Sequence, residues 1–423
     1  MRKKVVLAFS GGISSCYCAK FLIETKKLEV HAVTVNTGNF TQEELKEIEK
    51  KALLLGAKDH TVLEETNKYY ESCIRYLIFG NLLKNNAYPL SLSSQRVFEA
   101  ISVAGYAKTI HADFLAHGCK GKGNDQVRFD LIFNTLVPGI EILTPLTEKL
   151  ISRKEEIMFL HSFNFNVEGS KNKYFVNKGL WGTLIVGKET LTSKENRPET
   201  AFPNELTDTN AQDIILTFEK GEIKAINGVF FNSPVEAIYE LDMLATPFGI
   251  GRNIHVGESI MGIKGRIAFE GGAPLVIIKA HNMLEKHVLA KWQLYWKEQL
   301  SAWYGNLLHE GQFLDPVMRN IERFLEDTQK NVSGEVYVSL APQRFTVTGV
   351  KSPFDLMSDK FGSFDQMEST WTSDDVKGFS KITGNHVSIW HKVNGIKMSI
   401  EGQLNQSNES TVQINNHSSL LED

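Results

Sequence analysis

Hydrophobic and polar positions follow two different patterns along the chain. Over residues 1–165, short runs rich in β-branched residues alternate with longer amphipathic segments, which is typical of βαβ units on a parallel sheet. The pattern predicts strands at 5–9, 30–35, 60–63, 114–116 and 141–145, and helices at 15–23, 42–55, 69–77, 96–108 and 125–136. We therefore predict an α/β fold with a parallel-sheet domain over 1–165.

From residue 166 onward, the sequence contains frequent glycines between short segments that are typical of strands. It predicts strands at 214–218, 222–226, 229–232, 275–278, 336–340, 344–350 and 386–393, and helices at 283–300 and 316–326. The strands at 214–218, 222–226 and 229–232 favour an antiparallel meander, and we predict a second, α+β domain over 166–400. Residues 401–423 are polar and lack aromatic residues, which predicts a disordered tail.

Composition narrows the class of protein. The 423 residues are 42% hydrophobic and carry a net charge of −4, so no overall basic field favours a nucleic-acid partner. No apolar stretch reaches the roughly 18 residues of a membrane span, so no membrane partner is expected. The apolar run 5–9 is too short for a signal peptide, which predicts a cytoplasmic protein with reduced cysteines. The cysteine spacing predicts no metal site.

The first candidate site is the turn Ser10-Gly11-Gly12-Ile13-Ser14-Ser15, which follows a strand and opens a helix. Glycine lets the backbone approach a ligand, and the amides of a helix N-terminus point towards an anion. The turn therefore predicts a phosphate-binding loop. The simpler alternative is a loop that only connects a strand to a helix.

The second candidate site is the segment 118–129, which contains three glycines and follows the strand predicted at 114–116. Asn124 and Asp125 open the next helix, and Arg128 comes four and three residues later, on the same face. A carboxylate, an amide and a guanidinium facing one cleft suit a zwitterionic substrate. The alternative, a helix cap, accounts for Asn124 or Asp125 but not for both.

These segments resemble the argininosuccinate synthase family. The resemblance is carried by Ser10-Gly11-Gly12, by His117-Gly118 and by Gly121-Lys122-Gly123-Asn124-Asp125-Gln126-Val127-Arg128-Phe129, and it extends to about residue 400. Within the family, a bacterial branch shares Gly179-Leu180-Trp181-Gly182. The resemblance implies an N-type ATP-pyrophosphatase domain, of the adenine nucleotide alpha hydrolase type, followed by a synthetase domain, usually in a homotetramer.

The activity that the resemblance implies is an AMP-forming ligation in two steps. The ureido oxygen of citrulline attacks the α-phosphorus of ATP and releases pyrophosphate, with Mg²⁺ bound to the nucleotide. The amine of aspartate then displaces AMP. Positioning and charge stabilisation carry catalysis of this kind.

The resemblance also implies roles for individual residues. Those expected to bind ATP are Ala8, Phe9, Ser10, Gly11, Gly12, Ser14, Ser15, Val35 and Gly118. Those expected to hold the ureido amino acid are Tyr88, Ser93, Asn124 and Arg128, and Asn124 and Asp125 are expected to meet the incoming amine. Arg96 is expected to face the nucleotide and to act in catalysis with Asp125 and Arg128. Tyr88 could instead be an ordinary half-buried aromatic residue.

Several positions depart from the family pattern. Ser14 replaces a loop carboxylate, which predicts that it limits adenylation, and Lys120 replaces a threonine that contacts aspartate. Phe175 and Leu184 replace two serines, and Gly257 and Phe269 replace a glutamate and a tyrosine, at positions where the family meets citrulline. We expect a more apolar substrate pocket, a Lys120 that pairs with an anionic group of the nucleophile, and weak turnover of citrulline with aspartate. The alternatives are a paralogue with another substrate pair and a catalytically idle nucleotide-binding paralogue.

Overall fold

The computed structural model describes residues 2–121, 123–148, 151–166, 174–196, 198–357 and 371–394. The chain divides into a large compact unit, Met1–Leu356, and a small one, Met357–Asp423. Side chains from both halves of the large unit share one hydrophobic core, and the boundary at 165/166 stays a prediction. The tail predicted at 401–423 lies outside the described residues.

A parallel five-stranded sheet forms the first half of the large unit, as predicted. Its strands are β1 Lys4–Ala8, β2 Glu29–Asn36, β3 Asp59–Glu64, β4 Phe114–His117 and β5 Glu141–Leu143. The order is β3-β2-β1-β4-β5, so the chain first builds outward from β1 on one side and then returns to its other side. The carboxyl ends of β1 and β4 therefore flank the point where the strand order reverses, and open α/β sheets bind ligands at such points.

Eight helices accompany this sheet in the described part of the chain. They are α1 Ile13–Glu24, α2 Gln42–Leu54, α3 Thr66–Tyr69, α4 Arg75–Phe79, α5 Ser91–Thr109, α6 Asn124–Leu136, α7 Pro145–Glu148 and α8 Arg153–Ser162, and a π-helical turn, Tyr70–Ile74, joins α3 to α4. The start of α2 illustrates how local sequence sets a boundary. The Thr41 hydroxyl accepts the Glu44 N–H at 3.2 Å, and the Glu44 carboxylate accepts the Thr41 N–H at 2.8 Å, so a capping box satisfies two end donors.

Two antiparallel sheets form most of the second half. One has the order β10-β9-β8-β13-β14 and the other the order β11-β12-β7-β6. The strands are β6 Phe175–Asn177, β7 Thr183–Val186, β8 Gln212–Glu219, β9 Glu222–Ile226, β10 Val229–Phe230, β11 Arg252–Glu258, β12 Lys264–Glu270, β13 Gly334–Ala341 and β14 Arg344–Lys351. The helices are α9 Pro234–Ala245, α10 Gly272–Val288, α11 Lys291–His309 and α12 Pro316–Thr328, and the small unit contributes α13 Ser373–Thr383 and α14 Asn385–Asn394.

Three predictions for this half were wrong. The strand predicted at 275–278 lies inside α10, because a continuous apolar run suits a buried helix as well as a buried strand. The single helix predicted at 283–300 is two helices that break at Leu289 and Ala290. The strand predicted at 386–393 is α14, in which Val387, Trp390 and Val393 recur at helical spacing.

Candidate active site

The predicted phosphate-binding loop follows β1 and leads into α1. Gly11 has a φ of +69°, and a Cβ there would lie 2.8 Å from the Ile48 side chain, so this position requires glycine. Gly12 is the N-cap of α1, and no side chain among the described residues caps this end. The Ser15 hydroxyl donates to the Gly12 carbonyl at 2.9 Å and stabilises the turn. Backbone amides at the N-terminus of α1 are therefore available to an anion.

Neighbouring residues that were expected to bind ATP hold this loop in place by strand pairing and by packing in the core. Phe9 and Val35 have buried side chains, and the Phe9 backbone pairs with Val33 and Thr34 of β2. Ala8 pairs with His117 across β1 and β4, so the ends of these two strands lie side by side. The side chains of Phe9 and Val35 pack in the core, and the Phe9 N–H and C=O are bonded within the protein, so these residues support the loop.

The second candidate loop follows β4 and touches the first. A Cβ on Gly118 would lie 3.3 Å from backbone atoms of Ser14 and Ser15, so glycine permits the close approach of the two loops. The His117 imidazole fixes the start of this loop. Its Nδ1 accepts the Cys119 N–H at 3.3 Å, and its Nε2 donates to Asp130 at 2.9 Å. The two candidate loops thus form one continuous edge.

Four charged side chains meet beside these loops, and we call them the guanidinium cluster: Arg96, Glu99, Asp125 and Arg128. One oxygen of Asp125 lies 2.9 Å from Arg128 Nη1, and the other lies 3.3 Å from Arg96 Nε. Arg96 also pairs with Glu99 at 2.5 Å. The cluster contains two cations and two anions. Asp125 does not cap α6, because the N-cap is Gly123 and carries no side chain.

Arg128 is the most deeply held member of the cluster, with 2% of its side chain exposed. Its Nε and Nη2 donate to the His309 carbonyl at 3.0 and 2.8 Å, and Nη2 also donates to the Ser93 hydroxyl at 3.1 Å. Burial lowers the pKa of this arginine. Burial and the Arg128 and Lys84 cations together lower the pKa of His309 to about 3, so its neutral Nδ1 accepts from Ser93 at 3.0 Å.

Asn124 and Arg96 connect the cluster to the second half of the chain. The Asn124 side-chain oxygen accepts the Ile260 N–H at 2.8 Å, in the turn between β11 and β12. Arg96 Nη2 donates to the Asn177 side chain at 3.2 Å, in β6. Arg96, which was expected to face the nucleotide, thus has Glu99, Asp125 and Asn177 as partners in this structure.

Three further predicted substrate residues lie in a buried group that we call the aromatic wall: Tyr88, Leu184, His255 and Phe269. The Tyr88 ring stacks on His255 with a centroid separation of 5.3 Å and meets the edge of Phe269 at 5.5 Å. Phe269 pairs with Leu184 across β12 and β7, and both are buried. Phe175 lies apart from this wall on β6, opposite Val186, and is 60% exposed.

The position of His255 in this wall explains why residue 257 is a glycine. A Cβ on Gly257 would lie 2.5 Å from His255 Nε2, closer than such atoms approach. His255 is itself buried and stacked on Tyr88. The glycine therefore makes room for the His255 ring, and a glutamate here requires that ring to move.

Lys120 and Ser14 meet at a buried carboxylate that sequence reasoning missed. The Lys120 ammonium lies 2.9 Å from Glu156 Oε1, and the Ser14 hydroxyl donates to Glu156 Oε2 at 3.1 Å. Arg153 lies 3.4 Å from the same oxygen as Ser14. We call Ser14, Lys120, Arg153 and Glu156 the loop cluster.

Glu99 and His309 were also missed, for different reasons. Glu99 follows Arg96 by three residues on α5, so helical spacing could have indicated the pair. His309 ends α11, 181 residues from Arg128, and carries no local signal. His309 also borders a cavity of about 180 Å³ lined by Lys84, Asn85, Glu258, Ser259, Ile260, Gly262, His309 and Glu310. No group of three or more His, Cys, Asp or Glu side chains within the described ranges could hold a metal ion.

The fold and site together define an α/β class of protein, with a candidate phosphate-binding loop where the strand order reverses and a charged cluster suited to an amino acid beside it. Comparisons with known proteins identify the family. Residues 4–166 match the model of the arginosuccinate synthase N-terminal HUP domain, and residues 179–390 match that of the arginosuccinate synthase C-terminal domain.

Curated relatives named argininosuccinate synthase cover most of the chain. The protein from Dictyoglomus turgidum is 36% identical over 90% of this chain and 96% of its own length. Those from Staphylococcus aureus and Methanocaldococcus jannaschii are 33% and 32% identical, over 91% and 87% of this chain and 96% and 93% of their own lengths. The chain belongs to the argininosuccinate synthase family, whose members are ATP-dependent ligases that form a carbon–nitrogen bond with release of AMP. The predicted family, fold class and enzyme class are confirmed.

Proposed function

We propose that this ligase joins citrulline to aspartate. The guanidinium cluster carries the proposal, because Arg128, Asp125 and the neighbouring Asn124 lie on the helix that follows the second loop, and that loop packs against the phosphate-binding loop. Guanidinium, carboxylate and amide groups complement the charged groups of amino acids. The citrulline ureido oxygen would bond to the α-phosphorus as the bond to pyrophosphate breaks. The aspartate amine would then bond to the activated carbon, release AMP and lose a proton.

The described contacts support different roles for the loop backbone, which suits phosphate, and for the side chains of the guanidinium cluster, which suit the amino-acid substrates. The α1 amides and the glycine backbone at 118 suit phosphate oxygens, because both present N–H groups without an intervening side chain. Asp125 is one-third exposed and can accept hydrogen bonds from a substrate ammonium group. Arg128 and Ser93 share partners and hold one fixed geometry, which suits catalysis by positioning.

We further propose that Mg²⁺ arrives with ATP. Glu156, the carboxylate bonded to Ser14 of the phosphate-binding loop, is already paired with Lys120 and Arg153. These residues fit a metal ion held mainly by phosphate oxygens and water, which is how Mg²⁺ commonly binds with nucleotides. The ion would supply charge neutralisation on the phosphates.

A product assay tests the proposed activity. We expect AMP, pyrophosphate and argininosuccinate when the protein is incubated with Mg-ATP, citrulline and aspartate. Exchange of labelled pyrophosphate into ATP with citrulline alone would isolate the first step. ADP and phosphate as products would contradict the proposal, and nucleotide binding without turnover would instead support an idle paralogue.

The wall around Tyr88 leads us to expect weak turnover of citrulline. Leu184 and Phe269 offer no hydrogen bonds, and an unpaired polar group in a closed site costs about 1–3 kcal/mol. Comparing kcat/KM for citrulline with that for less polar ureido and amide acids measures this preference. A citrulline kcat within the common range of about 1–10³ s⁻¹ would contradict it.

We also propose a homotetramer. Four aromatic residues of α11, Trp292, Tyr295, Trp296 and Trp303, expose about half or more of their surface, and aromatic residues are enriched in interfaces. Sedimentation of the protein and of a Trp296→Glu variant tests this, and a monomeric wild-type protein would contradict it.

We propose a cytoplasmic location because all four cysteines are free. No helix in the described part of the chain is long and apolar enough to span a membrane.

A further inference from the structure

Glu156 is a fully buried carboxylate that faces the phosphate-binding loop. It lies on α8, which packs against α1, and its side chain is 0% exposed. One oxygen accepts the Ser14 hydroxyl hydrogen, and the other pairs with Lys120. A buried charge is costly unless partners compensate it, so these contacts determine where the Lys120 ammonium rests.

The loop cluster has a surplus of positive charge. It contains one carboxylate and two cations, and the side chains of Lys120 and Arg153 are 51% and 50% exposed. Gly118 packs against the backbone of Ser14 and Ser15, so the Lys120 segment runs directly beside the phosphate-binding loop. The ammonium is thus fixed on one side by Glu156 and open to solutes on the other.

Adenylation creates a need for such a cation. As the bond between the α- and β-phosphorus atoms breaks, the departing pyrophosphate gains negative charge, and fixed donors aimed at that charge stabilise the transition state. Ser14 contributes a neutral hydroxyl, which it already donates to Glu156. Lys120 lies on the second loop, is linked to Ser14 of the first loop through Glu156, and retains exposed charge.

We infer that Lys120 binds the pyrophosphate portion of ATP and that Glu156 is the positioning residue that holds it there. The inference rests on the proposed function. It assigns Lys120 to the first half-reaction, and not to the incoming amine. Glu156 acts only through Lys120 and Ser14 and does not touch the ligand.

Binding of inorganic pyrophosphate with Mg²⁺, measured by calorimetry on the full-length protein, tests the inference directly. Lys120→Met should weaken pyrophosphate binding about tenfold, the usual size of a charge-assisted contact, and raise KM for ATP similarly. Lys120→Arg should restore most of the affinity. Lys154→Met removes an exposed lysine of α8 and serves as the matched control.

Glu156→Gln tests the positioning role against Glu155→Gln. The neighbouring glutamate is exposed, and glutamine preserves its capping box at the start of α8. Glu156→Gln should weaken pyrophosphate binding, whereas Glu155→Gln should not. Combining Glu156→Gln with Lys120→Met should add little to Lys120→Met alone, because the two residues act as one unit.

Three results would overturn the inference: unchanged pyrophosphate affinity in Lys120→Met, a rise confined to KM for the amine substrate, or additive effects in the double variant. Failure of the proposed function has a different signature. A wild-type protein that forms ADP, or no AMP at all, removes the function itself. A wild-type protein that forms AMP and pyrophosphate, with an unaffected Lys120→Met variant, removes only the role of Lys120.

Discussion

The guanidinium cluster and the loop cluster lie at the same edge of the parallel sheet but balance their charges differently. In the guanidinium cluster, two cations meet two anions, and Arg128 is buried with protein partners for Nε, Nη1 and Nη2. In the loop cluster, one anion meets two half-exposed cations. The balanced guanidinium cluster fixes the positions of its side chains, whereas the loop cluster retains positive charge that a ligand can bind. Substitutions in the first should therefore disturb geometry, and substitutions in the second should disturb the affinity for phosphates.

The largest effect is expected from Arg128→Lys. A lysine ammonium cannot reach Asp125, Ser93 and the His309 carbonyl together as the guanidinium does. We expect kcat/KM to fall about 10²-fold or more, because a small misplacement in a positioning site has effects of that size. Steady-state pyrophosphate release measures it, with Arg323→Lys on exposed α12 surface as control. A kcat/KM close to that of the wild type would show that the cluster does not set the reaction geometry.

Ser14→Asp sharpens the contrast from the side of the loop cluster. The loop sequence alone predicts a faster adenylation, because an aspartate restores the carboxylate of the family. Glu156 reverses this expectation, since the new carboxylate would lie beside a buried one and remove the positive surplus. We expect kcat/KM for ATP to fall about tenfold, equivalent to about 1.4 kcal/mol. Ser14→Asn is the uncharged control, and a faster Ser14→Asp enzyme would contradict the role given to Glu156.

At the aromatic wall beside the guanidinium cluster, the size of an added side chain should change the stability of the protein more than its polarity does. Gly257→Glu forces His255 away from Tyr88, so we expect the free energy of unfolding to fall by about 1 kcal/mol, the worth of an aromatic contact. Gly265→Glu, at the partner position on β12 where an added Cβ meets no atom within 4 Å, should preserve stability better. Urea titration of both variants compares them. Equal stabilities would show that the His255 ring moves without cost.

Near neutral pH, the smallest effect is the one that His309 has on stability. Its pKa is about 3 in the folded protein and near 6.5 when unfolded, so between these values the unfolded chain binds about one more proton. The free energy of unfolding should therefore fall as the pH drops through this window. His309→Asn keeps an acceptor near Ser93 and should make the fall shallower, whereas His111→Asn, at an exposed histidine, should not. Parallel slopes for wild type and His309→Asn would contradict the pKa shift.

Local sequence was sufficient for the strands of the parallel half, whereas α7 and α8 were not predicted and the helix predicted at 69–77 is divided by a π-helical turn. All five strands were predicted, because strand periodicity and end signals extend over only a few residues. The pairing of Asp125 with Arg128 followed in the same way from helical spacing, and the structure confirms the contact. The apolar run inside α10 shows the limit of this reasoning, since such a run fits either a helix or a strand.

The family, the parallel sheet, the two glycine-rich loops and the residues on one face of α6 follow from the amino-acid sequence. Which charges meet across the site depends on the packing of distant elements. Glu156 and Ser14 are separated by 142 residues, and His309 and Arg128 by 181. Contacts of this kind depend on how α8 and α11 pack against the rest of the fold, and packing is set by the complementary shapes of many buried side chains. No local pattern of polar and apolar residues carries that information.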